Sequence, residues 1–355
     1  MKSGLARLGT RAGSVVDGAV LRFMERTMSR EAGTPAAGTG AMMERLAREY
    51  GRAEHFERPE SFFVPPPPAR MRARHLEDLA GGGALVDLAW PSAHVPFLAE
   101  YREEWAGHAE NGAAYARWWR SPRPRTTIVL LHGWGGGPWF LESRAFPVEY
   151  FRKLGLDVIL FQLPFHGLRT PRGTRSGQLF PSPHVVRTNE AFAQAVSDLR
   201  ALHTWLLEQD VPAVGLSGMS LGGYTTALYA SLVPDVAFAA PMIPVASMAE
   251  LMWRHGEGTR AHERAVAAGV TRPLLEAVFE VHAPLARAPL VPRERRFIIA
   301  GRGDRIAPPD QAEALWRHWD RPTLCWFPGG HLAQVGRGDA FREMGRWLRG
   351  VLTSS

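Results

Sequence analysis

The sequence predicts an α/β fold in which a mostly parallel sheet is flanked by helices. Short apolar runs typical of strands alternate with helical patterns, as in strand 157–161, helix 190–207, strand 213–216, helix 221–232 and strand 236–240. This alternation is typical of parallel strands joined by helical crossovers. A hydrophobic fraction of 45% and a charged fraction of 22% are close to the averages of folded globular chains.

The length of 355 residues predicts more than one structural unit, because a single core usually stops growing at about 250 to 300 residues. We expect an N-terminal helical and proline-rich extension at 1–83. A sheet domain would then occupy 84–243 and 293–355, interrupted by a helical cap, or lid, at 244–292.

The other elements follow from the same patterns. The sheet is expected to start at Ala84, and the remaining strands are predicted at 84–88, 113–119, 127–131, 296–300 and 323–327. Helices are predicted at 41–50, 309–319 and 340–352. Four consecutive prolines at 65–68 exclude helix and central strand there.

The N-terminus contains an amphipathic pattern over residues 14–28. Apolar residues recur at spacings of three and four, at Val16, Val20, Phe23, Met24 and Met28. Such a helix either packs on the surface of the domain or attaches to a membrane surface. Both interpretations stay open at this point.

Charge and cysteine content restrict the partners. The net charge is +7, but the arginines are scattered and no nucleic-acid-binding motif accompanies them, so we expect a basic surface and no nucleic-acid partner. The single cysteine, Cys325, excludes an intramolecular disulfide and a metal site built on cysteines. No run reaches the 18 apolar residues that span a bilayer. We therefore expect a cytoplasmic protein without a bound metal, peripheral to a membrane if the N-terminal helix attaches to one.

The strongest chemical motif is Gly218-Met219-Ser220-Leu221-Gly222, which lies between a predicted strand and a predicted helix. A nucleophilic serine must protrude from a very tight turn, and small neighbours let strand and helix approach there. Ser220 is the candidate nucleophile. The backbone N–H of Leu221 would then point at the oxyanion that forms when a carbonyl is attacked.

A second oxyanion donor is expected from the glycine-rich run at 132–137, which follows a predicted strand. Trp134 is the candidate, with Gly135 as the alternative. His132 and the indole of Trp134 also have structural interpretations: the histidine would hold the loop, and the indole would line the pocket. We favour these roles over acid–base chemistry.

The candidate general base is His331, which follows the strand at 323–327 through Pro328, Gly329 and Gly330. The candidate orienting carboxylate is Asp304, on the turn after the strand at 296–300. A turn or helix-capping aspartate is the alternative interpretation of Asp304. It would apply equally to Asp310, but Asp310 falls inside the next helical pattern.

These motifs together resemble the α/β-hydrolase superfamily, and within it serine esterases and lipases, over about 84–352. The resemblance implies a sheet of roughly eight strands, an active site at its C-terminal edge, and no cofactor. One segment departs from the family pattern: Gln162 and Phe165 stand where many relatives have an aspartate and a Gly-His-Gly turn.

The function implied is two-step acyl transfer on a small-molecule ester, through an acyl-enzyme on Ser220. Thioesters, amides and peptides remain alternatives, as do lipid-like esters at a membrane. Residues assigned to substrate binding are His132, Gly135, Met219 and Arg172. Apolar residues of the cap (Met248, Leu251, Met252 and Trp253) either line an acyl pocket or pack in the core.

Two further alternatives remain. Arg169, Arg172 and Arg175 either bind a substrate anion or form a solvated basic loop. The whole chain could be a non-catalytic binding protein on the same fold, since a fold alone does not establish function. That class usually lacks one of the three catalytic residues, and all three candidates are present here. The oligomeric state has no signature in the sequence.

Overall fold

The centre of the molecule is a mixed sheet of nine strands. The computed structural model describes residues 9–11, 13–18, 21 and 38–353. Within this part of the chain the strands are β1 (Arg72–Leu79), β2 (Gly83–Pro91), β3 (Ala113–Arg120), β4 (Thr127–Leu131), β5 (Asp157–Phe161), β6 (Val214–Met219), β7 (Val236–Met242), β8 (Phe297–Gly301) and β9 (Thr323–Phe327). Their spatial order is β1-β2-β3-β5-β4-β6-β7-β8-β9.

The sheet is mostly parallel, as the sequence predicts. β1, β2 and β3 form an antiparallel meander that continues antiparallel onto β5, and all pairings from β5 to β9 are parallel. Every residue of β4, β5, β6, β7 and β8 is buried. Strands covered on both faces show continuous apolar runs instead of alternation, which is why the sequence reveals them so clearly.

The strand count differs from the expected eight because β1 was not predicted. The sheet begins at Arg72 rather than at Ala84. β1 is an edge strand with mostly exposed, charged residues, so it has no apolar periodicity to detect. Charged edges of this kind prevent pairing with other chains. Arg74 pairs across to Asp87 of β2 at 2.9 Å.

Helices cover both faces of the sheet. They are α1 (Thr39–Tyr50), α2 (Glu54–Glu57), α3 (Arg102–Ala106), α4 (Trp139–Ala145), α5 (Val148–Lys153), α6 (Val185–Glu208), α7 (Leu221–Ala230), α8 (Met248–Gly256), α9 (Arg260–Ala267), α10 (Arg272–Phe279), α11 (Pro309–His318) and α12 (Arg337–Thr353). α5 and α12 pack on one face, and α6, α7 and α11 share the core on the other. No helix in these ranges is long and apolar enough to cross a membrane.

The predicted cap segment contains α8, α9 and α10. It is fastened to the sheet domain through α8, where the His255 ring bonds to the carbonyl of Ile306 at 2.8 Å and Gln311 donates to Glu250 at 2.5 Å. Met248 is 4% exposed in the main core, and Leu251, Met252 and Trp253 pack against that core. Core packing therefore describes these apolar residues better than an acyl pocket does.

Candidate active site

Ser220 lies at the tight turn between β6 and α7. Its backbone has φ 56° and ψ −112°, a left-handed conformation that costs a non-glycine residue on the order of 1–3 kcal/mol. The turn is tight because backbones meet there. A Cβ on Gly222 would collide with the carbonyl of Leu131, and one on Gly218 with the carbonyl of Gly222. These two glycines therefore explain how the chain can form the tight turn predicted at Ser220.

The amide of Leu221 starts α7 directly after Ser220. The first hydrogen bond of the helix runs from the N–H of Tyr224 to the carbonyl of Ser220 at 2.9 Å, so the Leu221 N–H has no acceptor inside the helix. The glycine-rich loop lies opposite: a Cβ on Gly133 would be 3.5 Å from the Cβ of Ser220. Trp134 is the next residue, so the predicted donor loop does border the serine.

His132 and Trp134 hold that loop through their side chains. His132 Nδ1 bonds to the carbonyl of Gly133 at 2.8 Å, and its Nε2 accepts the N–H of Leu163 at 3.1 Å. Burial lowers the pKa of His132. The indole of Trp134 donates to the carbonyl of Gly177 at 2.7 Å. The assignment of His132 to substrate binding is corrected, because both of its ring nitrogens are occupied inside the protein.

Gln162 and Glu142 support the same loop, a role that was not predicted for them from the sequence. Gln162 donates from Nε2 to the carbonyl of Gly137 at 2.6 Å and accepts the N–H of Leu168 at 3.0 Å. Glu142 accepts the N–H of Gly137 at 2.8 Å. The departure of Gln162 from the family pattern was the available signal. Nothing in the sequence distinguishes Glu142 from other glutamates near a helix start.

Asp304 and His331 lie in direct contact. His331 Nδ1 lies 2.7 Å from Asp304 Oδ2, and the two residues are 6% and 4% exposed. Asp304 Oδ1 accepts the N–H groups of Ile306 at 3.0 Å and Ala307 at 2.8 Å, which fixes the carboxylate. A proton on Nδ1 leaves Nε2 free to act as a base. Asp310 is excluded from this role because it pairs with Arg254.

The surroundings of His331 raise its pKa. Burial lowers its pKa, but the charge and hydrogen bond of Asp304 and the charge of Asp17 outweigh burial, so the pKa of His331 is raised. A neighbouring carboxylate acts in this direction because it stabilises the imidazolium.

The loop of His331 contacts the residue before Ser220. Gln334 donates to the carbonyl of His331 at 2.9 Å and to the sulfur of Met219 at 3.8 Å. Met219, assigned to substrate binding, is 8% exposed and joins the two loops. Across residues 38–353 no hydrogen bond joins the Ser220 hydroxyl to the His331 ring. Catalytic hydrogen bonds of this kind often shorten only when substrate binds.

The three arginines after β5 have different environments. Arg169 is fully buried and pairs with Asp198 at 2.8 Å, so neither alternative for this loop, binding of a substrate anion or a solvated basic surface, describes Arg169. The Arg172 side chain is 98% exposed and lies 3.5 Å from Glu110, and Arg175 is exposed. A solvated loop describes Arg172 and Arg175.

The N-terminal segment, residues 9–11, 13–18 and 21, is helical where it is described. Val20, Phe23, Met24 and Met28 of the predicted amphipathic face lie outside the described residues. Val16 is 41% exposed, whereas Asp17 is completely buried against the loops of Asp304 and His331. Attachment of this helix to a membrane stays a prediction.

A separate cavity of about 390 Å³ lies between α7, α8 and α10. Its lining includes Tyr224, Met248 and Phe279 but not Ser220, Asp304 or His331, so it is not assigned to substrate. In the described ranges no three histidine, cysteine, aspartate or glutamate side chains gather in a way that could hold a metal ion.

The sheet order and the elbow define the chain as an α/β hydrolase in fold. Residues 113–265 match the family model described as alpha/beta hydrolase domain containing 18. An uncharacterized protein of Mycobacterium tuberculosis is 34% identical over 306 residues, which cover 82% of this chain and 71% of that protein. The chain belongs to the α/β-hydrolase superfamily, and within it to the same family as the mycobacterial protein.

Two solved structures share the fold. Acetyl xylan esterase 1 from Thermoanaerobacterium sp. JW/SL YS485 has a TM-score of 0.58 at 15% identity, covering 86% of this chain and 98% of that one. Acetyl xylan esterase from Paenibacillus sp. R4 has a TM-score of 0.57 at 13% identity, covering 88% and 96%. At these identities the likeness concerns the fold alone.

Proposed function

We propose that this chain is a serine hydrolase that cleaves carboxylic esters through Ser220, His331 and Asp304. The observation that carries the proposal is the buried 2.7 Å contact between His331 and Asp304. The loop of His331 also contacts Met219, the residue before the strained Ser220. A histidine oriented by a buried carboxylate, together with a partly exposed serine on a tight turn, is the combination that makes a hydroxyl nucleophilic.

The reaction has two steps. His331 Nε2 takes the proton of the Ser220 hydroxyl while Oγ bonds to the carbonyl carbon, and the carbonyl electron pair moves onto oxygen. The N–H groups of Leu221 and Trp134 stabilise that oxyanion. The electron pair returns, the bond to the alcohol oxygen breaks, and His331 gives its proton to the leaving alcohol. Water, activated by His331, then releases the acid by the same route.

Esters are favoured over amides because an alkoxide leaves more readily than an amine. The esterase names of the two proteins that share the fold support the same class. Thioesterase and peptidase activities remain the alternatives within this mechanism. A non-catalytic binding protein would have no chemical reason to keep either the strained serine or the oriented histidine.

The direct test is covalent labelling of the wild-type protein with a fluorophosphonate probe, followed by peptide mass spectrometry. We expect one adduct on Ser220, while Ser217, three residues away on the buried strand β6, stays unmodified. Hydrolysis of p-nitrophenyl esters, a thioester and an anilide of matched acyl length would then assign the bond class. An unlabelled protein that turns over none of them would contradict the proposal and favour a binding role.

As the pH is lowered, we expect the activity to begin to fall at a higher pH than it would with a histidine of ordinary pKa. His331 must be neutral to accept the Ser220 proton, and its pKa is raised by Asp304 and Asp17. As the pH falls through that raised pKa, the imidazole becomes protonated and kcat/KM declines. The measurement is kcat/KM against pH with a neutral ester. An acid limb below the usual histidine pKa would contradict this assignment of the base.

A further inference from the structure

We propose that Asp17 is a positioning residue for the acid–base pair, holding the loops of Asp304 and His331 in place from the N-terminal helical segment. The inference rests on the proposed function and extends it to a residue outside the three catalytic ones. Asp17 would touch neither substrate nor reacting atoms.

The first support is the hydrogen bonding of the Asp17 carboxylate. Its Oδ2 accepts the N–H of His331 at 2.7 Å and that of Arg305 at 3.1 Å, and its Oδ1 accepts the N–H of Leu332 at 3.0 Å. One carboxylate thus ties together the backbones beside both members of the pair. Hydrogen bonds to a carboxylate are roughly twice as strong as neutral ones, and this carboxylate is completely buried.

The second support is that one face of the N-terminal segment lies very close to the loop of His331. Gly9, Gly13 and Asp17 are spaced by four and therefore lie on the same side of a helix. A Cβ on Gly13 would collide with the amide of Gly330, the residue before His331. A Cβ on Gly9 would lie 3.3 Å from Val335, beyond His331.

The same segment also binds the acid loop. The hydroxyl of Ser14 donates to the carbonyl of Gly303 at 2.9 Å, and a Cβ on Gly303 would lie 2.6 Å from the carbonyl of Thr10. The N-terminal segment therefore packs on the residue before Asp304 and on the residue before His331. It bridges two loops that follow separate strands, β8 and β9.

This bridge matters because the distance between the loops sets the contact between Asp304 and His331. A displacement of about 1 Å in a catalytic group can cost on the order of 100-fold in rate. The charges that raise the pKa of His331 come from Asp304, on the loop after β8, and from Asp17, on the N-terminal segment. The guanidinium of Arg305, the residue after Asp304, lies 3.3 Å from a Cβ placed on Gly18 of the segment.

The test compares full-length wild type with Asp17→Asn and Asp17→Ala, and uses Val15→Ser as the matched control. Val15 is 71% exposed on the same segment. We expect Asp17→Asn to lower kcat about 10- to 100-fold with KM within about twofold, at a temperature where every variant is folded. We also expect the acid limb of kcat/KM to move to lower pH, because one of the two carboxylate charges that raise the His331 pKa is lost. Val15→Ser should match wild type.

A second readout does not depend on turnover. The proton on His331 Nδ1, held by Asp304, should give a downfield proton NMR signal in wild type and in Val15→Ser. That signal should broaden or disappear in both Asp17 variants. A purely structural Asp17 would change the thermal midpoint but leave the pH profile and the signal in place.

The outcomes separate the two proposals. Unchanged kcat, pH profile and NMR signal in Asp17→Asn, with an active wild type, would overturn the role of Asp17 and leave the hydrolase proposal standing. An inactive wild type whose signal disappears in Asp17→Asn would overturn the hydrolase proposal but retain the positioning of the pair. An inactive wild type with an unaffected signal would overturn both.

Discussion

Ser220→Ala is expected to lower kcat for ester hydrolysis on the order of 10⁶-fold and to abolish fluorophosphonate labelling. The hydroxyl is the only group removed, so the oxyanion donors and the pair of His331 and Asp304 remain. Alanine has the same Cβ and the same backbone strain, and Ser220 makes no side-chain cap of α7. The free energy of unfolding should therefore stay within about 0.5 kcal/mol of wild type.

Ser220→Gly is the matched companion variant. It is equally inactive, but glycine adopts φ 56° without a steric penalty, so the stored strain is released. Part of that gain is offset by the greater entropy of unfolded glycine, about 0.5–1 kcal/mol. We expect the free energy of unfolding, measured in urea, to be about 1 kcal/mol higher for Ser220→Gly than for Ser220→Ala. Residual labelling of Ser220→Ala would contradict the assignment of Ser220 as the nucleophile. A Ser220→Gly variant less stable than Ser220→Ala would contradict the backbone strain at this position.

Arg169→Met is expected to lower the free energy of unfolding by about 3–5 kcal/mol. Arg169 is fully buried and pairs with the 1% exposed Asp198 side chain at 2.8 Å. It also donates to the carbonyls of Gln162 and Asn111, both at 3.2 Å. Methionine fills much of the volume but leaves the Asp198 carboxylate buried without a counter-charge.

Two comparisons isolate the charge in that experiment. Arg172→Met removes an exposed arginine three residues away and should change stability by no more than about 0.5 kcal/mol. The double variant Arg169→Met with Asp198→Leu removes both charges and should recover a large part of the loss. Urea denaturation measures all three. Equal effects of Arg169→Met and Arg172→Met would contradict the buried ion pair.

Arg169 also connects the interior to the candidate active site. Its guanidinium bonds to the backbone of Gln162, and the Gln162 side chain holds the carbonyl of Gly137 in the glycine-rich loop at 2.6 Å. The three arginines looked equivalent in the sequence, since each lies in the same polar loop. Burial, which depends on how α6 carries Asp198 beneath that loop, gives them different roles.

The parts of the fold that the sequence predicted best are those with local, one-dimensional signals. The bounds of β4 and β5 agree with their predicted runs, because strands in the interior of a parallel sheet are continuously apolar. The bounds of the edge strand β9 also agree with its run. β1 escaped prediction because an exposed, charged edge strand carries no such signal. Ser220 was identifiable because its tight turn requires small neighbours in the same short motif.

The sequence by itself therefore determined the α/β class, the elbow of Ser220 and the candidates Asp304 and His331, since each depends on residues adjacent in the chain. Only the tertiary structure decided that Asp304 and His331 share a hydrogen bond, that Arg169 is an interior ion pair, and that Asp17 lies against both loops. Asp17 and His331 are separated by most of the chain. Contacts between such distant residues arise from packing and backbone hydrogen bonding, which leave no periodic pattern in the sequence.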